Sequence, residues 1–146
     1  MTTTEKFLTS SEEEAIIEAI RIAERNTSGE IRVHLESSSD LPPLERAKEV
    51  FYWLKMNETL EKNAVLFYVA VEKKEFAIIG DDGINKKVPN SFWNDVKKTV
   101  IKNFKIKNHK KGLVDGILMT GDKLKTFFPY HLHKDTNELN DEISKS

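Results

Sequence analysis

Apolar residues recur along this chain with two periods, and the switches between them mark out seven elements. Ile16, Ile20 and Ala23 fall at helical spacing with Ile17 alongside. Ser10 and Ser11 precede Glu13 and Glu14 at capping-box distance, so a first helix is expected over 11–26. Asn26-Thr27-Ser28-Gly29 stops it. Ile31, Val33 and Leu35 then alternate with Arg32, His34 and Glu36, which predicts a half-buried strand with His34 turned to the surface. Ser37-Ser38-Ser39-Asp40 reads as a loop, and Pro42-Pro43 primes a helix whose apolar face is Leu44, Ala47, Val50, Phe51 and Leu54. Residues 64–71 are continuously apolar and rich in β-formers, the pattern of a central strand covered on both faces. A polar connection at 72–75 leads to 76–79, the antiparallel arm of a hairpin, which Gly80-Asp81-Asp82-Gly83 breaks. Pro89-Asn90-Ser91 opens a helix with a core stripe of Phe92, Val96, Val100 and Phe104. A last helix is expected over 111–128, stopped by Pro129, with His109 in the lysine-rich loop before it. The remaining segment, 130–146, is polar and expected to be irregular.

The order α-β-α-β-β-α-α makes strand one to strand two a parallel crossover, expected right-handed, and the whole an α/β sandwich around a small mixed sheet. At 146 residues with 38% apolar content the chain forms one core. It has no cysteine, which excludes disulfides, thiol catalysis and thiolate metal sites. The start of the sequence lacks a basic segment and an apolar leader, and the longest apolar run is far short of the ~20 residues of a membrane helix. A cytoplasmic protein without membrane insertion is therefore expected.

Net charge is −1, which argues against a nucleic-acid binder. That balance hides a polarised layout. Residues 1–45 carry ten acids and four bases, whereas 86–111 carry nine lysines against the single acid Asp95. Such a segment is either a set of solvated helix faces or a docking surface for an acidic protein partner.

Strand direction decides which loops meet. The start of strand one, the start of strand two and the end of strand three share one edge of the sheet. That edge gathers Thr27, Ser28 and Glu30, then Asn63, then Asp81 and Asp82. Oxygen ligands of this kind suit a hard cation, Ca²⁺ or Mg²⁺; ordinary turn chemistry explains the same residues equally. The Asp-Asp-Gly piece is no EF-hand, because a twelve-residue count from Asp81 reaches Phe92 where a Glu is required. At the opposite edge, Ser37, Ser38, Ser39 and Asp40 before the second helix offer a weaker phosphate site. His131 and His133 with Asp135 form an incomplete zinc set. No Walker loop, nucleophile elbow or dinucleotide fingerprint is present.

Several of these segments coincide with one family's motifs. Thr27-Ser-Gly-Glu-Ile-Arg-Val33, Asn63-Ala-Val-Leu-Phe-Tyr-Val-Ala70, Phe76-Ala-Ile-Ile-Gly-Asp-Asp-Gly-Ile84, Trp93, Gly112-Leu113 and Phe128-Pro129 occur in order. The chain thereby resembles the TPM domain family over about residues 5–130, and most of all its short standalone bacterial members. The tail from Asn137 to Ser144 is also similar to theirs. The resemblance implies a three-layer, Rossmann-like α/β/α sandwich, a TPM-like domain over 1–130 and a polar tail over 131–146. It implies Ca²⁺ or Mg²⁺ binding near the Gly-Asp motif, with Glu30, Asp81 and Asp82 at motif positions. Asn63 is implied as a supporting residue; Thr27, Ser28 and, from the last helix, Asp115 are further candidates for that role. Many family members carry a signal peptide and a membrane helix, and neither is expected here. The expected function is a cation-binding regulatory module without catalysis. The alternative, carried by the acid-phosphatase label of plant members, is metal-dependent phosphate hydrolysis through a cation-bound water.

Overall fold

A computed structural model describes residues 3–130 and 143–146. The candidate zinc set of His131, His133 and Asp135 lies outside the described residues. Helices α1 (Thr3–Lys6) and α2 (Ser10–Glu24) lead into strand β1 (Glu30–Glu36). Helix α3 (Pro43–Trp53) and a 3-10 turn (Met56–Glu58) precede the hairpin of β2 (Ala64–Ala70) and β3 (Glu75–Gly80). Helices α4 (Asp82–Asn85), α5 (Asn94–Lys105) and α6 (His109–Leu124) follow, and strand β4 (Ser144–Lys145) closes the described chain.

The sheet runs β3-β2-β1-β4. β1 and β2 are parallel with Glu30 opposite Ala64, and β2 and β3 are antiparallel with Val65 opposite Gly80. Alternation along the strands divides the core in two. Ile31, Val33, Leu35, Val65, Phe67 and Val69 pack under α2, α5 and α6, whereas Leu66, Tyr68 and Ala77 pack against Val50 and Phe51 of α3. The α/β/α sandwich is thus built with three helices on one face and one on the other. Every residue of β2 is buried, as its unbroken apolar run requires. Fully burying a side chain such as Phe67 contributes about 2–3 kcal/mol.

Several local expectations are corrected. The capping box of α2 uses Thr9 and Glu12, one residue ahead of the serines, and the helix ends at Glu24. The strand expected to be half buried is covered on both faces, and His34 is fully buried. His109 is the first residue of α6, not a loop residue, and its ring packs on Phe7 and Phe104. α6 stops at Leu124 because the chain must turn back: the Phe128 carbonyl accepts the Ser28 N–H at 3.0 Å. β3 does end at Gly80 as expected, and Asp82 and Gly83 of the breaking segment open the short helix α4. The tail is not irregular throughout, since Ser144 and Lys145 add β4 in parallel to His34 and Leu35. Among the described residues, no helix is long and apolar enough to cross a membrane.

Candidate functional site

The edge predicted from strand direction forms where β1 and β2 begin and β3 ends. The Asp81 N–H donates to the Ala64 carbonyl at 3.0 Å, which extends the β2–β3 ladder by one pair. Ala64 in turn stands opposite Glu30. Asp81 is the N-cap of α4. Its Oδ1 accepts the Asp82 N–H at 2.8 Å, and its carbonyl accepts the N–H groups of Ile84 and Asn85. Its other carboxylate oxygen, Oδ2, is buried and has no hydrogen-bond partner. Asp81 is only 6% exposed, whereas Asp82 lies open to solvent. A pocket of about 140 Å³ opens at this point, lined by Lys48, Phe51 and Tyr52 of α3 and by Gly80, Asp81 and Asp82.

Glycine at 83 is required by close approach. A Cβ there would stand 2.2 Å from the Glu61 carbonyl oxygen and 2.4 Å from that of Lys62. This contact seats α4 on the loop before β2. From that loop, Glu61 accepts hydrogen bonds from Ser28 Oγ and from Asn63 Nδ2, and Asn63 Nδ2 also donates to Ser28 Oγ at 3.1 Å. Ser28 and Asn63 therefore meet as expected, bonded directly and also bridged by Glu61, a residue the sequence reading missed. Only its position two residues before buried Asn63 hinted at it.

Of the remaining candidates, Glu30 stands in this row, Thr27 is engaged with the segment after α6, and Asp115 lies apart. Glu30 is buried at 3% exposure on the α3 side of the sheet. Thr27 straps two distant segments together: its hydroxyl donates to the Phe128 carbonyl and accepts the Gly29 N–H, and its backbone bridges to Pro129. Asp115 pairs with Lys111 at 2.6 Å on α6. It lies nine residues before Leu124, the α6 residue that touches Gly29, hence about 13 Å along the helix from this edge. α6 also covers the opposite face of the sheet, so Asp115 does not join the cluster.

Among the described residues, no three of His, Asp or Glu converge as a ready metal cage. The donor chemistry at Asp81 nonetheless fits a hard cation. A carboxyl group with one buried, unsatisfied oxygen is costly by itself, and a bound cation would satisfy it. Mg²⁺ in particular is held by one or two carboxylates while keeping several waters. Asp81 and Asp82 would supply those carboxylates.

A second polar cluster, absent from the sequence reading, sits at the other end of β1, on the α3 side of the sheet. Glu36 receives Arg46 Nε on both carboxylate oxygens at 3.1 and 3.0 Å, Arg46 Nη2 at 2.7 Å, and the Tyr68 hydroxyl. Burial alone would raise the Glu36 pKa, but the bonds from Arg46, Tyr68 and Ser146 outweigh it and hold it below the usual value. Burial, with Glu36 on its other side, raises the Tyr68 pKa. His34 lies between two hydroxyls, Ser144 at Nδ1 and Ser146 at Nε2, each at 2.8 Å. Desolvation pushes its pKa down to about 4 against the opposing pull of Glu36. The alternating pattern of 31–36 carried the signal for a paired polar face, but the partners come from residues as distant as 144 and 146.

Comparison with known proteins accords with this architecture. Residues 1–123 match the TPM domain family. The NMR structure of BA42 from the psychrophilic bacterium Bizionia argentinensis is 50% identical, with each chain fully covered and a TM-score of 0.92. The N-terminal domain of a Porphyromonas protein (P. gingivalis) superimposes with a TM-score of 0.68 at 20% identity, over 88% of this chain and 83% of that one. The N-terminal domain of a Corynebacterium glutamicum protein gives 0.65 at 14% identity, over 80% and 74%. These last two show the shared fold alone. No curated protein matches the sequence.

Proposed function

The chain belongs to the TPM domain family, and we propose that it is a divalent-cation-binding module that takes Ca²⁺ or Mg²⁺ at the sheet edge. Asp81 and Asp82 would hold the ion, with Glu30 in the same row of the sheet. The observation that carries this reading is the buried Asp81 carboxylate with one unpartnered oxygen, in a residue that lines a small open pocket. A carboxylate kept in that state in a small domain is a site that gains by receiving a cation. Ser28, Glu61 and Asn63 brace the neighbouring loop, and Gly83 lets α4 press against it, so the acids sit on a fixed frame. A regulatory module of this kind would use the ion to order its edge rather than to activate water.

Thermal unfolding tests the reading. Millimolar Ca²⁺ or Mg²⁺ is expected to raise the melting temperature of the wild type, since a ligand that binds only the native state stabilises it. The rise is expected to vanish in Asp81→Asn, to shrink in Asp82→Asn and to persist in Asp115→Asn. An ion-insensitive wild type, or an Asp81→Asn variant that responds fully, would overturn it. Ion-dependent hydrolysis of an aryl phosphate, lost in Asp81→Asn, would replace it with the phosphatase alternative.

A further inference from the structure

We infer that the outer edge of β3 is a docking groove for an extended acidic peptide carrying one large apolar side chain. The groove has a volume of about 420 Å³ and straddles the sheet edge. Its walls come from both helical layers. Pro43 opens α3 on one face; Ile101, Phe104 and Lys105 of α5 stand on the other; Lys74 and Phe76 lie between them at the start of β3.

Three features define the occupant. The first is apolar: Ile101 is 43% exposed on the groove wall, beside the ring of Phe76, so the groove can receive a side chain of comparable size. The second is charge. Lys74 and Lys105 line the groove, and Lys98 lies three positions before Ile101 and Lys102 one after it, on the exposed surface of α5. Among the described residues none of these four lysines forms an ion pair, and Glu75 is the one acid on the rim. Cations that no neighbouring carboxylate neutralises complement an anionic partner.

The third feature is the backbone. β3 is the end strand of the sheet, paired only with β2 among the described residues. Because the Asp81 N–H bonds to Ala64, alternation along an antiparallel ladder turns Ala77 and Ile79 toward β2 and the N–H and C=O of Phe76 away from it. An extended peptide laid along this edge can pair with those groups, as in strand addition. A lipid surface cannot use them, and the concave shape does not suit a duplex.

Fluorescence anisotropy in EDTA, which keeps the cation site out of the readout, tests this with a short labelled Glu/Asp peptide carrying one central Phe. Replacing that Phe by Ala, or making Ile101→Asp in the protein, is expected to weaken binding about tenfold. The pair Lys74→Glu and Lys105→Glu is expected to weaken it similarly, and added salt to weaken it further. Circular dichroism of each variant verifies its fold. Amide shifts on peptide binding are expected at 74–78 and 101–105. Equal binding of the Ala peptide would overturn the proposal, because charge alone would then explain it. So would indifference to Ile101→Asp, or binding to anionic vesicles or single-stranded DNA with none to the peptide.

Discussion

Glu30 of β1 and Asp81 at the end of β3 stand in one row across the sheet, with only Ala64 of β2 between them. Two strand spacings put their Cα atoms about 10 Å apart, and both residues are buried. A row of this kind brings two buried acidic residues onto one line of the sheet. The sign of one substitution should therefore depend on the ion. In EDTA, Asp81→Asn is expected to raise urea stability by about 1 kcal/mol, because it replaces an acid whose second oxygen is buried and unpartnered with a neutral amide, while the amide oxygen still caps α4. In saturating Ca²⁺ or Mg²⁺ the wild type is expected to become the more stable of the two. Paired urea titrations with and without ion measure the crossing.

Gly83→Ala is expected to be the most damaging small substitution at this edge. Its methyl group would enter the carbonyls of Glu61 and Lys62, which are backbone and cannot swing aside. A loss of about 3 kcal/mol or more is expected. Urea unfolding measures it, and amide spectra should show the disturbance centred on 59–63 and 81–85.

The cluster at Glu36 predicts unequal effects from its partners. Arg46→Gln removes the forked cation from a nearly buried carboxylate. Arg46 is itself about a quarter exposed, so the loss is expected at the lower end for such pairs, about 3 kcal/mol at pH 7. Tyr68→Phe removes one charged hydrogen bond and leaves the ring in place, so about 2 kcal/mol is expected. Chemical denaturation of both variants checks the order.

His34 sets an acid limit. Its pKa is about 4 in the fold and near 6.5 when unfolded, so between those values the unfolded chain binds a proton that the folded chain refuses. Its contribution is intact above pH 6.5 and is lost progressively as pH falls toward 4, by on the order of 3 kcal/mol in total. Glu36, with its lowered pKa, adds a further loss below its unfolded value near 4.5, as its carboxylate becomes protonated. His34→Gln is expected to flatten the stability profile between pH 6.5 and 4 while leaving the Glu36 portion. Urea midpoints across that range test both signs.

Much of the architecture was legible because its signals are local. The apolar run of β2, the alternation of β1 and the short hairpin connection were enough to order and orient three strands, and strand direction then assigned Ser28, Glu30, Asn63 and Asp81 to one edge. What escaped depends on distant partners. His34 looked outward because its cover, Ser144 and Ser146, lies over a hundred residues away. Glu61 joined Ser28 and Asn63 through loop packing that no periodicity records. Asp115 was misplaced because helix position alone does not say which end of α6 meets the sheet edge.

The central claim, a cation held at Asp81, is tested most directly by amide NMR titration of the wild type with Ca²⁺ and Mg²⁺. Saturable shifts centred on 80–85, extending to 28–30 and absent in Asp81→Asn, are the predicted result. No shift at millimolar ion, or shifts that leave residues 80–85 unmoved, would contradict it.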